Sequence, residues 1–195
     1  MTKLAARPLL DTPAQLAHPG HNPERVDLDD PALAVMTDLL VRPAITIKGD
    51  DSLPYAEKLM SSAGVRLLLV VDGRQELEGL MTYRDLRGER AMAAAAKDKI
   101  SHDRLSVTQV MTRASQIETV SLNAVEHARV RDIVELLREH GRQHMLVTEQ
   151  GNRSGAVAVR GIFSITQIGR LLGLSISANE RAQSFAEIEQ LIAAE

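Results

Sequence analysis

Gly79-Leu80-Met81-Thr82-Tyr83-Arg84-Asp85 reads as the end of a strand running into the start of a helix, with a hydroxyl and a carboxylate at its mouth. The same order returns at Gly161-Ile162-Phe163-Ser164-Ile165-Thr166-Gln167: glycine, two apolar residues, a hydroxyl residue, and a polar residue three positions after it. A second pair of stretches supports the repetition, because Val35-Met36-Thr37 recurs residue for residue at Val110-Met111-Thr112. Two motifs repeated in the same order mark a duplicated unit.

Working outward from the first motif, Leu67-Leu68-Leu69-Val70-Val71 is too short for a buried helix and stops at the turn pair Asp72-Gly73, so a buried strand is expected there. Upstream, Ala56, Leu59, Met60 and Ala63 fall at helical spacing. Ser52 is placed to cap that helix, Pro54 suits its first turn and Gly64 its stop. Ala44-Ile45-Thr46-Ile47 is β-prone and closes at Gly49-Asp50-Asp51. A short helix from Asp30 or Pro31 towards Leu39 is expected before it, carrying Leu33, Val35 and Met36. Leu77 to Thr82 forms a further strand, and Asp85 opens a short helix through Leu86. Arg87 to Ile100 surround Ala93-Ala94-Ala95-Ala96, a helical stretch by propensity.

The second unit follows the same grammar: a strand at Ile117-Glu118-Thr119-Val120, a helix striped by Val130, Ile133, Val134 and Leu137, a stop at Gly141, a buried strand at Met145-Leu146-Val147, a turn from Gly151 to Gly155, and a strand from Val157 to Phe163. The organisation expected is an extended, proline-bearing arm over 1–30 (Pro8, Pro13, Pro19, Pro23), a first repeat over 31–90, a helical linker over 91–106, and a second repeat over 107–174. A last helix over 175–195 has a capping box at Ser177-Ala178-Asn179-Glu180 and an apolar side of Ala182, Phe185, Ile188 and Ile192. The fold class is α/β, two tandem β-α-β-β-α repeats packed into one pseudo-symmetric module.

Composition narrows the function. The 195 residues carry 44% hydrophobic side chains, enough to bury a core, and a net charge of −3 with only 2% aromatic residues offers neither a basic field nor stacking platforms for nucleic acid. Cysteine is absent, which removes disulfides and thiol chemistry and agrees with a reducing, cytoplasmic setting. No apolar run approaches the roughly 20 residues of a membrane span, and Lys3 and Arg7 precede no secretory core segment. The histidines (18, 21, 102, 127, 140 and 144) form no metal-ligand pattern. Neither a P-loop nor a nucleophile elbow is present, so no enzyme is expected.

The repeated unit resembles the cystathionine-β-synthase (CBS) domain family. The resemblance rests on Val35-Met36-Thr37, Leu68-Leu69-Val70-Val71-Asp72-Gly73, Gly79 to Asp85, and the echoes at Val110 to Thr112 and Gly161 to Gln167. It implies paired units packed through their sheets, a ligand cleft with each repeat, and a regulatory protein that senses AMP, ADP, ATP or S-adenosylmethionine. It also implies a homodimer of modules and a separate, unknown protein target. A carboxylate with a hydroxyl three residues before it suits such a ligand: Asp85 would accept from the ribose and Thr82 donate to a phosphate. In the family's manner, the backbone at Ile45 and Thr46 would read the adenine edge in the same cleft. Arg84, Arg87, Arg142 and His144 are further phosphate candidates, the position of His144 being often basic in the family. Thr119 is a further candidate, and in the second cleft the candidates are Ser164 and Gln167. There an amide replaces the carboxylate, a ribose contact weaker by about 1 kcal/mol. Neither buried strand has the proline that many members carry; Leu69 and Leu146 stand there. The competing expectation is a dimerisation or protein-interaction module with vestigial clefts.

Overall fold

The computed structural model describes residues 25–151 and 156–174; the expected arm before residue 25, the tip of the last hairpin and the expected C-terminal helix lie outside the described residues. In chain order the elements are β1 (Thr37–Asp38), β2 (Thr46–Lys48), α1 (Leu53–Ala63), β3 (Leu67–Val71), β4 (Leu77–Thr82), α2 (Tyr83–Arg87), α3 (Glu89–Asp98), α4 (Val107–Val110), β5 (Thr112–Arg113), β6 (Thr119–Ser121), α5 (Leu122–Glu126), α6 (Val130–Glu139), β7 (His144–Gln150), β8 (Val157–Ser164) and α7 (Ile165–Leu171).

Local chemistry explains the boundaries. Ser52 accepts a hydrogen bond from the Tyr55 amide at 3.4 Å and so caps α1, and Gly64 ends that helix in the left-handed region at φ 65°. Gly141 does the same after α6 at φ 59°. The helix expected from Asp30 to Leu39 shrinks to a single 3-10 turn over Ala32–Val35, because the chain must extend at Met36 to reach a sheet. The strands expected at Ala44 and Ile117 begin later, at Thr46 and Thr119.

The strands form two four-stranded sheets, ordered β2-β3-β4-β5 and β1-β8-β7-β6. In each, a parallel pair (β2 with β3, β6 with β7) adjoins an antiparallel one (β3 with β4, β7 with β8). The outer strands are exchanged: β1 pairs with β8 of the second unit, and β5 with β4 of the first. The segments before them cross as well. Leu28, Ala32 and Val35 pack with α6 and Phe163, whereas Leu105, Val107 and Val110 pack with α1 and Met81.

Both faces of β3 are buried, which is why it reads as an unbroken apolar run. Its alternation divides labour: Leu68 and Val70 face the helices of the first unit, while Leu67 and Leu69 meet Leu146, Val159 and Ile162 from the other sheet. The units therefore pack sheet against sheet, around a thin shared core flanked by two helix-covered ones.

The motif glycines mark where the exchanged segments touch. A Cβ at Gly79 would sit 2.4 Å from the Thr112 carbonyl oxygen and 2.9 Å from Met111 Sδ; at Gly161 it would sit 2.5 Å from Met36 Sδ. Neither glycine has a positive φ, so close approach, and not backbone freedom, requires them. The Val-Met-Thr and Gly motifs of opposite units are one contact made twice.

Candidate functional site

Two clefts open between the sheets, and each is assembled from both units. The first, about 650 Å3, has Thr82, Arg84, Asp85 and Arg87 on one wall, and Ile117, Glu118, Arg142 and His144 on the other, over Leu80 and Leu146. The second, about 800 Å3, has Ser164, Thr166, Gln167 and Arg170 facing Pro43, Ala44, Ile45 and Arg66, over Leu69 and Ile162.

Thr82 is both the last residue of β4 and the residue before the first turn of α2, so its side chain emerges where pleat becomes helix. Asp85, one turn on, folds back: its Oδ2 accepts from the Thr82 amide at 2.8 Å and from Thr82 Oγ1 at 2.6 Å. Both partners are half-buried at the cleft wall. The pair is thus a helix cap, and it holds the carboxylate in place with Oδ1 outside that cap. Around it stand cations of unequal availability. The Arg87 guanidinium turns to Glu57 at 2.7 Å, an ion pair that raises its pKa. Arg142 Nε lies 3.6 Å from Glu118, a carboxylate that also meets His140 Nδ1 at 3.2 Å. Arg90 donates to Thr112 Oγ1 at 2.7 Å.

The second cleft keeps the scaffold and changes the chemistry. Gln167 stands at the position matching Asp85, but its Oε1 accepts from Thr37 Oγ1 of the exchanged strand at 3.1 Å. Among the described residues no carboxylate lines this cleft.

His144 and its counterpart Leu67 line both clefts, at the start of the central strands, where they pair with Ser164 and Thr82. Burial, and secondarily the nearby Arg66 charge, lower the His144 pKa to about 4, so the imidazole is neutral at neutral pH. Arg66 itself lies 6.0 Å from the centroid of the Tyr83 ring.

The structure brings Thr82, Arg84, Asp85, Arg87, Arg142 and His144 to one cleft and Ser164 and Gln167, with His144 again, to the other. It separates Ile45 from Asp85. β3 stands between β2 and the end of β4, so Ile45 opens on the second cleft and Ile117-Glu118 takes the matching place beside Asp85. Thr46 and Thr119 sit exposed on edge strands and line neither cleft; Thr119 Oγ1 instead lies 3.4 Å from Thr148 Oγ1. Arg66, Arg170 and Thr37 escaped the sequence reading. Thr37 and Thr112 carried a signal, since both belong to the repeated Val-Met-Thr motif. Among the described residues no group of three or more His, Cys, Asp or Glu could hold a metal ion, and no helix is long and apolar enough to cross a membrane.

Comparison with known proteins agrees with this architecture. Residues 34–91 match the family model of the CBS domain. A structure of a conserved protein from Pyrococcus horikoshii is 20% identical and superposes with a TM-score of 0.56, covering 78% of this chain and 99% of that one. A CBS-domain-containing protein from Agrobacterium tumefaciens is 20% identical with a TM-score of 0.51, covering 70% and 93%. An inosine-5'-monophosphate dehydrogenase from Rhodopirellula baltica is 25% identical over 119 residues, 57% of this chain, and those residues span only 22% of that enzyme.

Proposed function

Because this chain is a tandem CBS-domain protein, we propose that it is a regulatory module whose first cleft holds an adenosine-containing ligand, AMP, ADP, ATP or S-adenosylmethionine, and passes its ligand state to a partner. The observation that carries the reading is Asp85: a half-buried carboxylate fixed at a cleft wall by Thr82, with one oxygen outside the cap. A ribose hydroxyl donating to that oxygen would make a charge-assisted bond worth about 1.5–3 kcal/mol. Arg84 and Arg142 stand at the same cleft for an anionic tail, and the neutral His144 can donate or accept one bond. Thr82 keeps its hydroxyl lone pairs but commits its proton to Asp85, so its part is to orient the carboxylate. The reading assigns the module no reaction.

Signalling would follow from the architecture. Each cleft is walled by both units, so a ligand bridging Asp85 and Arg142 would favour one spacing of the two sheets and present that spacing to a partner. A second copy is one such partner, and a dimer of modules in the cytoplasm is the assembly we favour. Light scattering tests it: a monomeric mass at micromolar concentration would sink the dimer.

Calorimetric titration of AMP, ATP and S-adenosylmethionine into the wild type and Asp85→Ala tests the ligand. Saturable binding that the substitution abolishes supports the sensor. Silence from the wild type with all three would point to a dimerisation or interaction module, in which Asp85 serves only as the cap of α2.

A further inference from the structure

Among the described residues, the charges at the first cleft balance. Its four guanidinium groups are matched by Asp85, Glu89, Glu118 and the Glu57 carboxylate that holds Arg87. Arg84 has no ion-pair partner among the described residues, whereas Arg142 is already met: its Nε lies 3.6 Å from Glu118 Oε2, the oxygen that also faces His140 Nδ1 at 3.2 Å.

The Glu118–Arg142 pair belongs to this cleft alone. Thr119 pairs with Leu146 as Thr46 does with Leu69, and His144 with Ser164 as Leu67 does with Thr82. One residue before the first match, Glu118 takes the place of Ile45; two before the second, Arg142 takes the place of Val65. Ile45 and Val65 both line the second cleft, so acid and base are replaced together there by aliphatic side chains. Both partners are about half exposed, and an ion pair in such a setting adds little to stability. It does alter the field that a ligand meets.

Resting on the reading of the first cleft as the site of an adenosine-containing ligand, we propose that Glu118 is a specificity-determining residue that selects against polyphosphate: one phosphate is accepted and each further one is disfavoured. A single phosphate is met by Arg84 and by Arg142, which exchanges Glu118 for it. Further phosphates find the remaining guanidinium groups engaged, Arg87 with Glu57 and Arg90 with Thr112, and stand against the carboxylates of Glu118 and Glu89. Through solvent, one unit charge repels another a few ångströms away by an amount worth about fivefold in affinity.

The test titrates AMP, ATP and adenosine by calorimetry into the full chain and its Glu118→Gln variant, in magnesium-free buffer of low ionic strength. AMP is expected to bind the wild type at least about fivefold more tightly than ATP. Glu118→Gln is expected to raise ATP affinity about tenfold and AMP affinity less, while adenosine affinity and the melting temperature stay unchanged. The inference is overturned if ATP binds the wild type as tightly as AMP, if the preference is the same in Glu118→Gln, or if adenosine affinity moves as far as that of ATP. The two readings fail separately. AMP binding that Asp85→Ala abolishes, with a preference indifferent to Glu118, removes this inference alone. A Glu118-dependent preference with AMP affinity indifferent to Asp85 removes the ribose acceptor alone, and no binding of any of the three to either protein removes both.

Discussion

Gly79→Ala is expected to be far more damaging than Gly161→Ala, although the two glycines occupy matching places in the repeat. At Gly79 the new methyl would meet the Thr112 carbonyl oxygen at 2.4 Å, whereas ordinary contact begins at 3.4 Å, so β5 must retreat by about 1 Å. The obstacle is backbone and cannot rotate away. β4 and β5 share only two residue pairs, Gly79 with Arg113 and Leu80 with Thr112, so a displacement of that size loosens the whole ladder and strains the Arg90–Thr112 bond. At about 1 kcal/mol for each neutral bond lost and somewhat more for the guanidinium bond, the cost is about 3 kcal/mol. At Gly161 the clash is with Met36 Sδ, Cγ and Cε, the end of a flexible side chain. A change of rotamer costs about 1 kcal/mol, offset in part by the stiffer unfolded chain. Urea titration, with thermal melting as a second probe, measures both. Gly79→Ala should lose about 3 kcal/mol, or about 6–12 °C in Tm, and Gly161→Ala under about 1 kcal/mol. Equal losses, or a Gly79→Ala protein as stable as the wild type, would refute the claim that the exchanged strand explains the motif glycine.

Two further predictions concern the core and the shared histidine. Phe163 is fully buried in the core of the second unit, so Phe163→Ala should cost about 4 kcal/mol by urea titration and Phe163→Leu about 1 kcal/mol. His144 has a folded pKa of about 4, below its unfolded value near 6.5, so the unfolded chain takes up its proton first. Stability should be constant with respect to this group above about pH 6.5 and fall between there and pH 4, by at most about 3 kcal/mol. His144→Gln should flatten that part of the pH profile.

The body of the fold was legible because local signals and burial coincide in it. Ser52, Pro54 and Gly64 bracket α1, the β3 run is apolar because both its faces are covered, and the α6 stripe faces its own sheet. The exchanged strands were not legible. Thr37–Asp38 and Thr112–Arg113 are two-residue segments without periodicity, and their pairing depends on a partner far along the chain. The same cause misplaced Ile45. A reading that assigns each cleft to one repeat expects it beside Asp85, whereas the two-unit walls place it opposite Gln167. Arg66 and Arg170 lie outside the repeated motifs, and only the closing of the second cleft brings them together.

The claim that Asp85 is a ribose acceptor is tested most directly by pairing its removal with removal of the hydroxyls it would bind. AMP and its 2′,3′-dideoxy analogue are titrated into the wild type and Asp85→Ala. Either change alone should weaken binding by about 2 kcal/mol, some thirtyfold, and the two together should cost no more than one. Losses that simply add, or AMP binding undiminished in Asp85→Ala, would contradict the account.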